Sequence, residues 1–196
     1  MGGEIHDPEF RELLVRWFQW GAFCPVMRLH GARNDSTKPR ERVVNSKGEE
    51  KTGSGADNEI WSFGDENYPI LRDYILLRDR MRGYTREVMR RSHESGDPVM
   101  RTMFYEFPQD QKCWELRDQY MFGPDILVAP VMYFGARERS VYLPEGEEWF
   151  SAWTGQSFAG GQTVTVPAPI DQIPVFLRGG KHAEIFRKQK EEKAMA

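Results

Sequence analysis

Several features that mark well-defined classes of protein are missing from this sequence. It has only two cysteines, Cys24 and Cys113, far apart and without C-x-x-C spacing. Such a pair favours reduced thiols in a cytoplasmic protein, with a single disulfide as the alternative. No run of about 18 apolar residues occurs, so we expect no membrane span. The first residues lack a basic-then-apolar pattern, so we also expect no secretory signal.

An excess of positive charge is absent as well. The formal net charge is -3 and the isoelectric point is about 5.9, which argues against a nucleic-acid partner. Seven arginines do fall within residues 69–92, but acidic residues are interleaved with them. We interpret this segment as a solvated helix face with ion pairs.

Self-contained catalytic and cofactor motifs are also missing. The sequence contains no G-x-S-x-G, P-loop, G-x-G-x-x-G or H-E-x-x-H pattern. The four histidines show no metal-ligand spacing with the cysteines. We therefore expect no cofactor and no metal.

The first half of the chain has strong helical signals. Asp7 and Pro8 predict the start of a helix, and apolar residues then recur at helical spacing until Gly21 ends it. Residues 22–29 are predicted to form a short buried strand, so that helix and strand together are typical of an α/β protein. A second helix is predicted over residues 69–92, because one apolar stripe continues along it.

The stretch between the strand and the second helix has a different composition. Residues 32–60 are rich in Asn, Asp, Ser, Lys, Glu and Gly and contain almost no apolar residues. Such a stretch predicts a long surface loop or a disordered insertion.

After Pro98 the pattern becomes one of short strands separated by turn residues. Several short strands at this spacing predict an antiparallel sandwich. Residues 187–196 are charged and predict a frayed helix or a tail. The predicted strands are residues 99–107, 126–132, 139–143, 148–151, 162–166 and 175–177.

One segment carries polar side chains at a position of functional interest. Arg28 and His30 are two residues apart at the end of the predicted strand, so they point the same way. In a (β/α)₈ barrel the carboxyl ends of the strands carry the active site. The alternative is that His30 is a polar residue at a strand end, bonded to backbone.

Motifs that follow in order along the chain resemble glycoside hydrolase family 31. Residues 10–31 resemble that family's seventh helix and eighth strand, and residues 74–78 resemble its eighth helix. Residues 39–41 and the Trp-Ser-Phe-Gly of residues 61–64 resemble the loop between them, here split by the polar insertion. The β part resembles the family's proximal C-terminal sandwich in two segments, residues 118–131 and 174–180.

The resemblance implies a fold class and a division of the chain. The fold class is an α+β fragment, in which the last helix-strand-helix portion of a (β/α)₈ barrel is followed by an antiparallel β-sandwich. Residues 1–97 are then the C-terminal remnant of the catalytic barrel, with the polar insertion at about 32–60. Residues 98–182 form the C-terminal β-sandwich, and residues 183–196 form a charged tail.

The resemblance also implies a function. Family members are retaining α-glycosidases that act through two carboxylates, and we expect an enzyme that hydrolyses terminal α-linked glucose or xylose from oligosaccharides. Both carboxylates belong to earlier barrel strands, so we expect no catalytic residue here and an inactive chain on its own. His30 matches a sugar-binding histidine and Arg28 a neighbouring arginine, while Trp61 and Phe63 match a loop near the pocket.

Other carboxylates of the chain have ordinary structural explanations. Asp65, Glu66, Asp118 and Asp125 fall where helix capping or turn formation accounts for them. We therefore do not expect any two of them to form a catalytic pair.

Two alternatives to the glycosidase interpretation remain. Trp149, Trp153 and Phe158 cluster in one hairpin-like stretch, which suggests either a carbohydrate-binding module or sandwich core. The first helix and strand could instead belong to an assembly module, because a buried-type strand without neighbours seeks partners. We accordingly expect the missing N-terminal barrel portion as a partner, and in its absence either homo-oligomers or disorder before about residue 65.

Overall fold

The structure is a computed structural model, and it describes residues 5–29, 43–44, 46–51 and 57–186. The described residues contain α-helices, 3₁₀ turns and short β-strands. The helices are α1 (Pro8–Ala22), α2 (Tyr68–Arg80), α3 (Arg82–Ser95) and α4 (Met103–Glu106), with 3₁₀ turns at Ile60–Phe63 and Gln111–Trp114. The strands are β1 (Val43–Val44), β2 (Glu50–Lys51), β3 (Met100–Arg101), β4 (Tyr120–Phe122), β5 (Ile126–Val128), β6 (Glu138–Leu143), β7 (Glu148–Ser151), β8 (Ser157–Ala159), β9 (Gln162–Pro167) and β10 (Val175–Arg178).

Helix α1 confirms the first helix prediction. The Asp7 carboxylate accepts a hydrogen bond from the Glu9 amide at 3.0 Å, and Pro8 occupies the first helical position. The helix runs one residue past Gly21 and ends at Ala22.

The buried strand predicted over residues 22–29 is wrong. After Ala22 the chain forms a turn and then irregular backbone through Leu29. A strand needs a neighbouring strand to pair its backbone groups, and none pairs with this segment in the described part of the chain. Side chains satisfy its carbonyls instead: Arg78 donates to Ala22 and Pro25, and Tyr120 donates to Phe23.

Only part of the polar insertion lies within the described residues. There, β1 and β2 pair antiparallel as a two-residue ladder around a turn. This small hairpin was not predicted from the composition.

The second predicted helix is two helices, α2 and α3, divided at Met81. The apolar stripe continues across the division, because Leu77, Met81 and Val88 are all buried. Gly83 lies in the first turn of α3 and weakens the helix locally. Gly96 ends α3 in the left-handed conformation, two residues before Pro98.

The β part contains one large sheet and one small sheet. The large sheet has the order β3-β4-β5-β10-β7-β8, and the small sheet pairs β6 with β9, all antiparallel. Predicted strands at 139–143, 148–151, 162–166 and 175–177 are confirmed within a residue of their ends. The strand predicted at 126–132 is shorter, and the one at 99–107 is wrong beyond Arg101, where α4 forms. The sequence did not predict β4 or β8.

The large sheet is covered on both faces. Ile126 and Val128 of β5 pack with the buried faces of α1, α2 and α3, whereas Leu127 packs with β6 and with Trp149 of β7. Because side chains alternate along a strand, a strand covered on both faces reads as a continuous apolar run. The helices, the large sheet and the small sheet are therefore three stacked layers.

The segment predicted as a charged tail, residues 183–196, begins inside the core. Residues 183–186 form a helical turn, and Ile185 and Phe186 are buried, with Phe186 packed on Phe23 and Trp153. Residues 187–196 lie outside the described residues, as does their predicted frayed helix. No helix in the described part of the chain is long and apolar enough to cross a membrane.

Candidate functional site

The segment that follows α1 carries the predicted pocket residues, and side chains from two other elements hold it. Arg78 of α2 donates from Nη1 to the Ala22 carbonyl at 2.9 Å and from Nη2 to the Pro25 carbonyl at 2.8 Å. Tyr120 of β4 donates to the Phe23 carbonyl at 3.1 Å. Burial lowers the pKa of Arg78 and raises the pKa of Tyr120, and the raised pKa keeps the Tyr120 hydroxyl protonated as a donor.

Beyond this anchor the segment becomes exposed. Arg28 and Leu29 lie on the surface, so the Arg28 guanidinium is open to solvent. His30 lies outside the described residues, and its predicted role stays a prediction. The fold places Arg28 immediately after an anchored stretch of backbone.

The 3₁₀ turn Ile60–Phe63 divides its two predicted site residues between surface and core. The Trp61 ring is 66% exposed, which leaves it open to a ligand. Phe63 is fully buried in the core beside α1 and α2, and its assignment to the pocket stays a prediction. Asn67 donates to the Phe63 carbonyl at 3.0 Å, which fixes the turn beneath Trp61.

Three of the four other carboxylates considered above are held by basic side chains. Glu66 pairs with Arg11 at 3.0 Å, and Asp118 pairs with Arg139 at 2.8 Å. For Asp125, burial raises the pKa, but hydrogen bonds from His182 and Lys181 outweigh it and lower the pKa to about 2. In the part of the chain that the structure describes, no group of three or more His, Cys, Asp or Glu side chains could hold a metal ion.

A buried arginine that sequence reasoning missed joins α1 to the β part. The Arg16 guanidinium donates to the carbonyls of Ala168, Pro169, Gln172 and Ala136, at distances from 2.8 to 3.2 Å, and to the Gln19 side chain. Burial lowers the pKa of Arg16, and its environment offers carbonyl oxygens in place of water. An arginine on the predicted apolar helix was the only signal available from sequence.

An apolar groove runs along α1 beside the β part. Its volume is about 670 Å³, and Trp17, Trp20, Tyr133 and Phe134 contribute to its walls. Trp17 is 47% exposed and Tyr133 is 76% exposed, so large rings stand open to solvent here. An open apolar surface of this kind is typical of a contact face.

Two family models match this fold in chain order. Residues 1–86 match the model described as the glycosyl hydrolases family 31 TIM-barrel domain. Residues 96–181 match the model described as the glycosyl hydrolase family 31 C-terminal domain. The two matches define the class of protein as part of a (β/α)₈ barrel with an attached C-terminal β domain. The chain belongs to glycoside hydrolase family 31.

Individual relatives agree with this membership and are much longer. A family 31 α-xylosidase from a soil metagenome, whose crystal structure holds xylose, superposes with a TM-score of 0.87 at 48% identity, covering 95% of this chain and 27% of that one. Alpha-xylosidase A of Aspergillus niger is 37% identical over 91% of this chain and 24% of its own length. Neutral alpha-glucosidase C of Homo sapiens is 37% identical over 92% of this chain and 18% of its own length. The chain thus spans roughly a quarter or less of these relatives.

Proposed function

We propose that the chain is part of a retaining α-glycosidase that hydrolyses terminal α-linked glucose or xylose from oligosaccharides. The observation that carries this proposal is the ordered match of a barrel model and a C-terminal model from one glycosidase family. Relatives named as α-xylosidases and α-glucosidases support both sugars. The retaining mechanism uses a nucleophile and an acid/base about 5 Å apart across the sugar.

The contribution proposed for this chain is one wall of the sugar pocket. Arg28 offers an exposed guanidinium that can donate to a carboxylate or to hydroxyls, and Trp61 offers an exposed ring. His30 is proposed to bond sugar hydroxyls, as in the family it resembles. Phe63 is proposed to belong to the same wall, on which its buried side chain supports the Trp61 turn.

We further propose that both catalytic carboxylates come from the remainder of the barrel, so that this chain alone is inactive. The pairing of Glu66, Asp118 and Asp125 with basic residues supports this, because it gives each of these carboxylates a structural role. The test is turnover of p-nitrophenyl α-xyloside and α-glucoside by the pure 196-residue chain. We expect no release of nitrophenol, and release that scales with chain concentration would contradict the proposal.

The proposed partner is the remainder of the barrel, divided from the sandwich near residue 97. The groove along α1 supports this, since helices of a (β/α)₈ barrel form a ring in which each has neighbours on both sides. Without that partner we expect homo-oligomers, detectable by light scattering. Trp17→Gln should shift the chain towards monomer, whereas Trp61→Gln, at an exposed ring outside the groove, should not.

We also propose a cytoplasmic location for the protein. It is supported by the two buried and unpaired cysteines, which suit a reducing compartment.

A further inference from the structure

The β part of the chain carries an exposed pair of stacked aromatic rings. Phe104 of α4 and Trp114 of the second 3₁₀ turn have ring centroids 5.1 Å apart and planes inclined by 21°. Phe104 is 39% exposed and Trp114 is 57% exposed. By contrast, Trp17 and Trp20 meet edge to face at 80° and form no flat surface.

The Trp114 ring is held in a fixed orientation. Its indole N–H donates to the Pro108 carbonyl at 3.1 Å, and the preceding residue, Cys113, is fully buried. The Asp110 carboxylate, which caps the same turn, accepts hydrogen bonds from the Lys112 amide, the Tyr142 hydroxyl and the Glu145 amide at 2.9 to 3.1 Å. A ring that is already immobile loses little entropy when it binds a ligand.

The aromatic residues that sequence alone suggested for a carbohydrate-binding module do not provide such a surface. Trp149 is fully buried in the core between the two sheets. Trp153 and Phe158 are partly buried, and Trp153 donates its indole N–H to the Ile173 carbonyl at 2.6 Å. Phe104 and Trp114 are therefore the better candidates on the β part.

We propose that the stacked pair of Phe104 and Trp114 is a sugar-binding surface that takes a pyranose unit of an α-linked oligosaccharide. One face of a pyranose presents C–H groups and its edge presents hydroxyls, so it matches a flat ring bordered by polar side chains. The side chains of Gln111, Glu115 and Arg117 are exposed next to Trp114 in the chain and supply such a border. The choice of an α-linked sugar rests on the proposed function.

The size of the surface separates a sugar from a protein partner. The two partly exposed rings offer on the order of 200 Å² between them, judged from the area that aromatic side chains bury. A stable protein interface buries about 800 Å² on each partner. One sugar unit needs only a single ring face. Because stacking covers the inner face of each ring, we place the sugar on the remaining exposed area of Trp114.

The test is an NMR titration of the full chain with maltohexaose, an α-linked glucose oligomer, followed through the tryptophan indole N–H resonances. The sequence has six tryptophans, so the Trp114 resonance can be assigned by its loss in Trp114→Phe. We expect this resonance to shift with a Kd on the order of 1–10 mM. Phe104→Ala should weaken the binding at least threefold, because it removes half of the stack.

Matched controls distinguish this surface from the proposed pocket wall. Trp61→Ala removes the wall tryptophan and should leave the Trp114 titration unchanged, while Tyr133→Ala removes an exposed ring outside the stack and should also leave it unchanged. The indole resonance of Trp61 reports on the pocket wall. If that resonance does not shift with xylose or glucose, the pocket proposal is contradicted, whereas the Trp114 titration still tests the stacked pair.

Three results would overturn the proposal. The first is a Trp114 resonance that stays in place at saturating maltohexaose. The second is an equal shift with sorbitol, which indicates non-specific binding. The third is a shift that depends on chain concentration without sugar, which identifies the stack as a protein contact.

Discussion

At the scale of single residues, Arg16 links helix α1 to the β part. Its guanidinium is nearly inaccessible and donates to four backbone carbonyls and one side chain. We predict that Arg16→Met lowers the free energy of unfolding by about 2–4 kcal/mol, because buried carbonyls lose their donors. Urea denaturation measures this.

Arg90→Ala is the matched control for that change. It removes an arginine whose pairs with Glu87 and Glu94 lie on the exposed surface of α3. Exposed ion pairs contribute little to stability, so the denaturation midpoint should stay within error. Equal effects of the two substitutions would argue against Arg16 as a special link.

The two cysteines provide a second prediction at this scale. Burial raises the pKa of Cys24 to about 11 and the pKa of Cys113 to about 12. Only thiolates react readily with Ellman's reagent, so at about pH 8 neither cysteine should react in the folded chain. Both should react after denaturation in guanidinium chloride, and rapid labelling before it would contradict the burial of these side chains.

Neighbouring residues show how much of the candidate site could be predicted from sequence alone. The family resemblance placed Trp61 and Phe63 on one loop, but only the fold sends Trp61 to the surface and Phe63 into the core. Both side chains are apolar, so composition cannot assign them to opposite environments. Arg78 and Tyr120 were missed as anchors because they act on backbone carbonyls distant in sequence.

At the scale of elements, the turn between β4 and β5 depends on Gly123. Its φ is +63°, and an added Cβ would lie 2.4 Å from the Tyr84 hydroxyl and 2.7 Å from Val88. We predict that Gly123→Ala costs roughly 3 kcal/mol or more, because strain and overlap add. Thermal unfolding measures the loss.

Gly135→Ala serves as the control for this turn. Gly135 has a similar φ of +73°, but nothing lies within 4 Å of an added Cβ. Its cost should be about 1 kcal/mol, from the left-handed conformation alone. A comparable loss at both positions would mean that the contact with α3 contributes nothing.

The same turn predicts a pH dependence. Asp125 has a folded pKa of about 2, against about 3.9 in an unfolded chain. A lowered folded pKa contributes stability that is present above about pH 4 and is lost as the pH falls towards 2. We therefore expect Asp125→Asn to cost up to about 2 kcal/mol at pH 6 and almost nothing near pH 2.

Chemical denaturation at several pH values measures the difference in the free energy of unfolding between Asp125→Asn and the parent chain. Asp79→Asn is the control, because Asp79 pairs with Arg82 on an exposed helix surface. The free energy of unfolding of Asp79→Asn should stay close to that of the parent chain at every pH. If the stability difference between Asp125→Asn and the parent chain does not decrease on acidification, the ion-pair explanation is contradicted.

Elements were predictable where local pattern and tertiary context agree. Helix α1 has a cap and an apolar stripe, and β10 is an apolar run covered on both faces. Residues 22–29 have an equally apolar pattern but no neighbouring strand, so their tertiary context overrides it. The strand predicted at 99–107 gives way to a helix at residues 103–106, of which Met103 packs in the core beside the sheet, a tertiary contact that local sequence does not reveal.

At the scale of the whole molecule, the two family segments share one core. Leu14 and Phe18 of α1 pack in the same cluster as Leu71 and Leu77 of α2 and Val128 of β5. The helices of the barrel portion therefore use the sandwich as their apolar support. This explains how a small portion of a barrel forms a packed structure beside a β domain.

A shared core predicts that neither segment is stable without the other. A chain of residues 98–186 would expose one whole face of the large sheet, formed by Phe122, Ile126, Val128, Val175 and Leu177. Each such side chain contributes about 1.5–3 kcal/mol when buried, so their sum rivals the 5–15 kcal/mol stability of a typical domain. We expect the full chain to unfold in one cooperative calorimetric transition and residues 98–186 to show none. A sharp transition of the shorter chain, with the amide spectrum of the β part preserved, would instead show that the sandwich is an independent folding unit, because only a sheet that needs no helices could retain its packing without them.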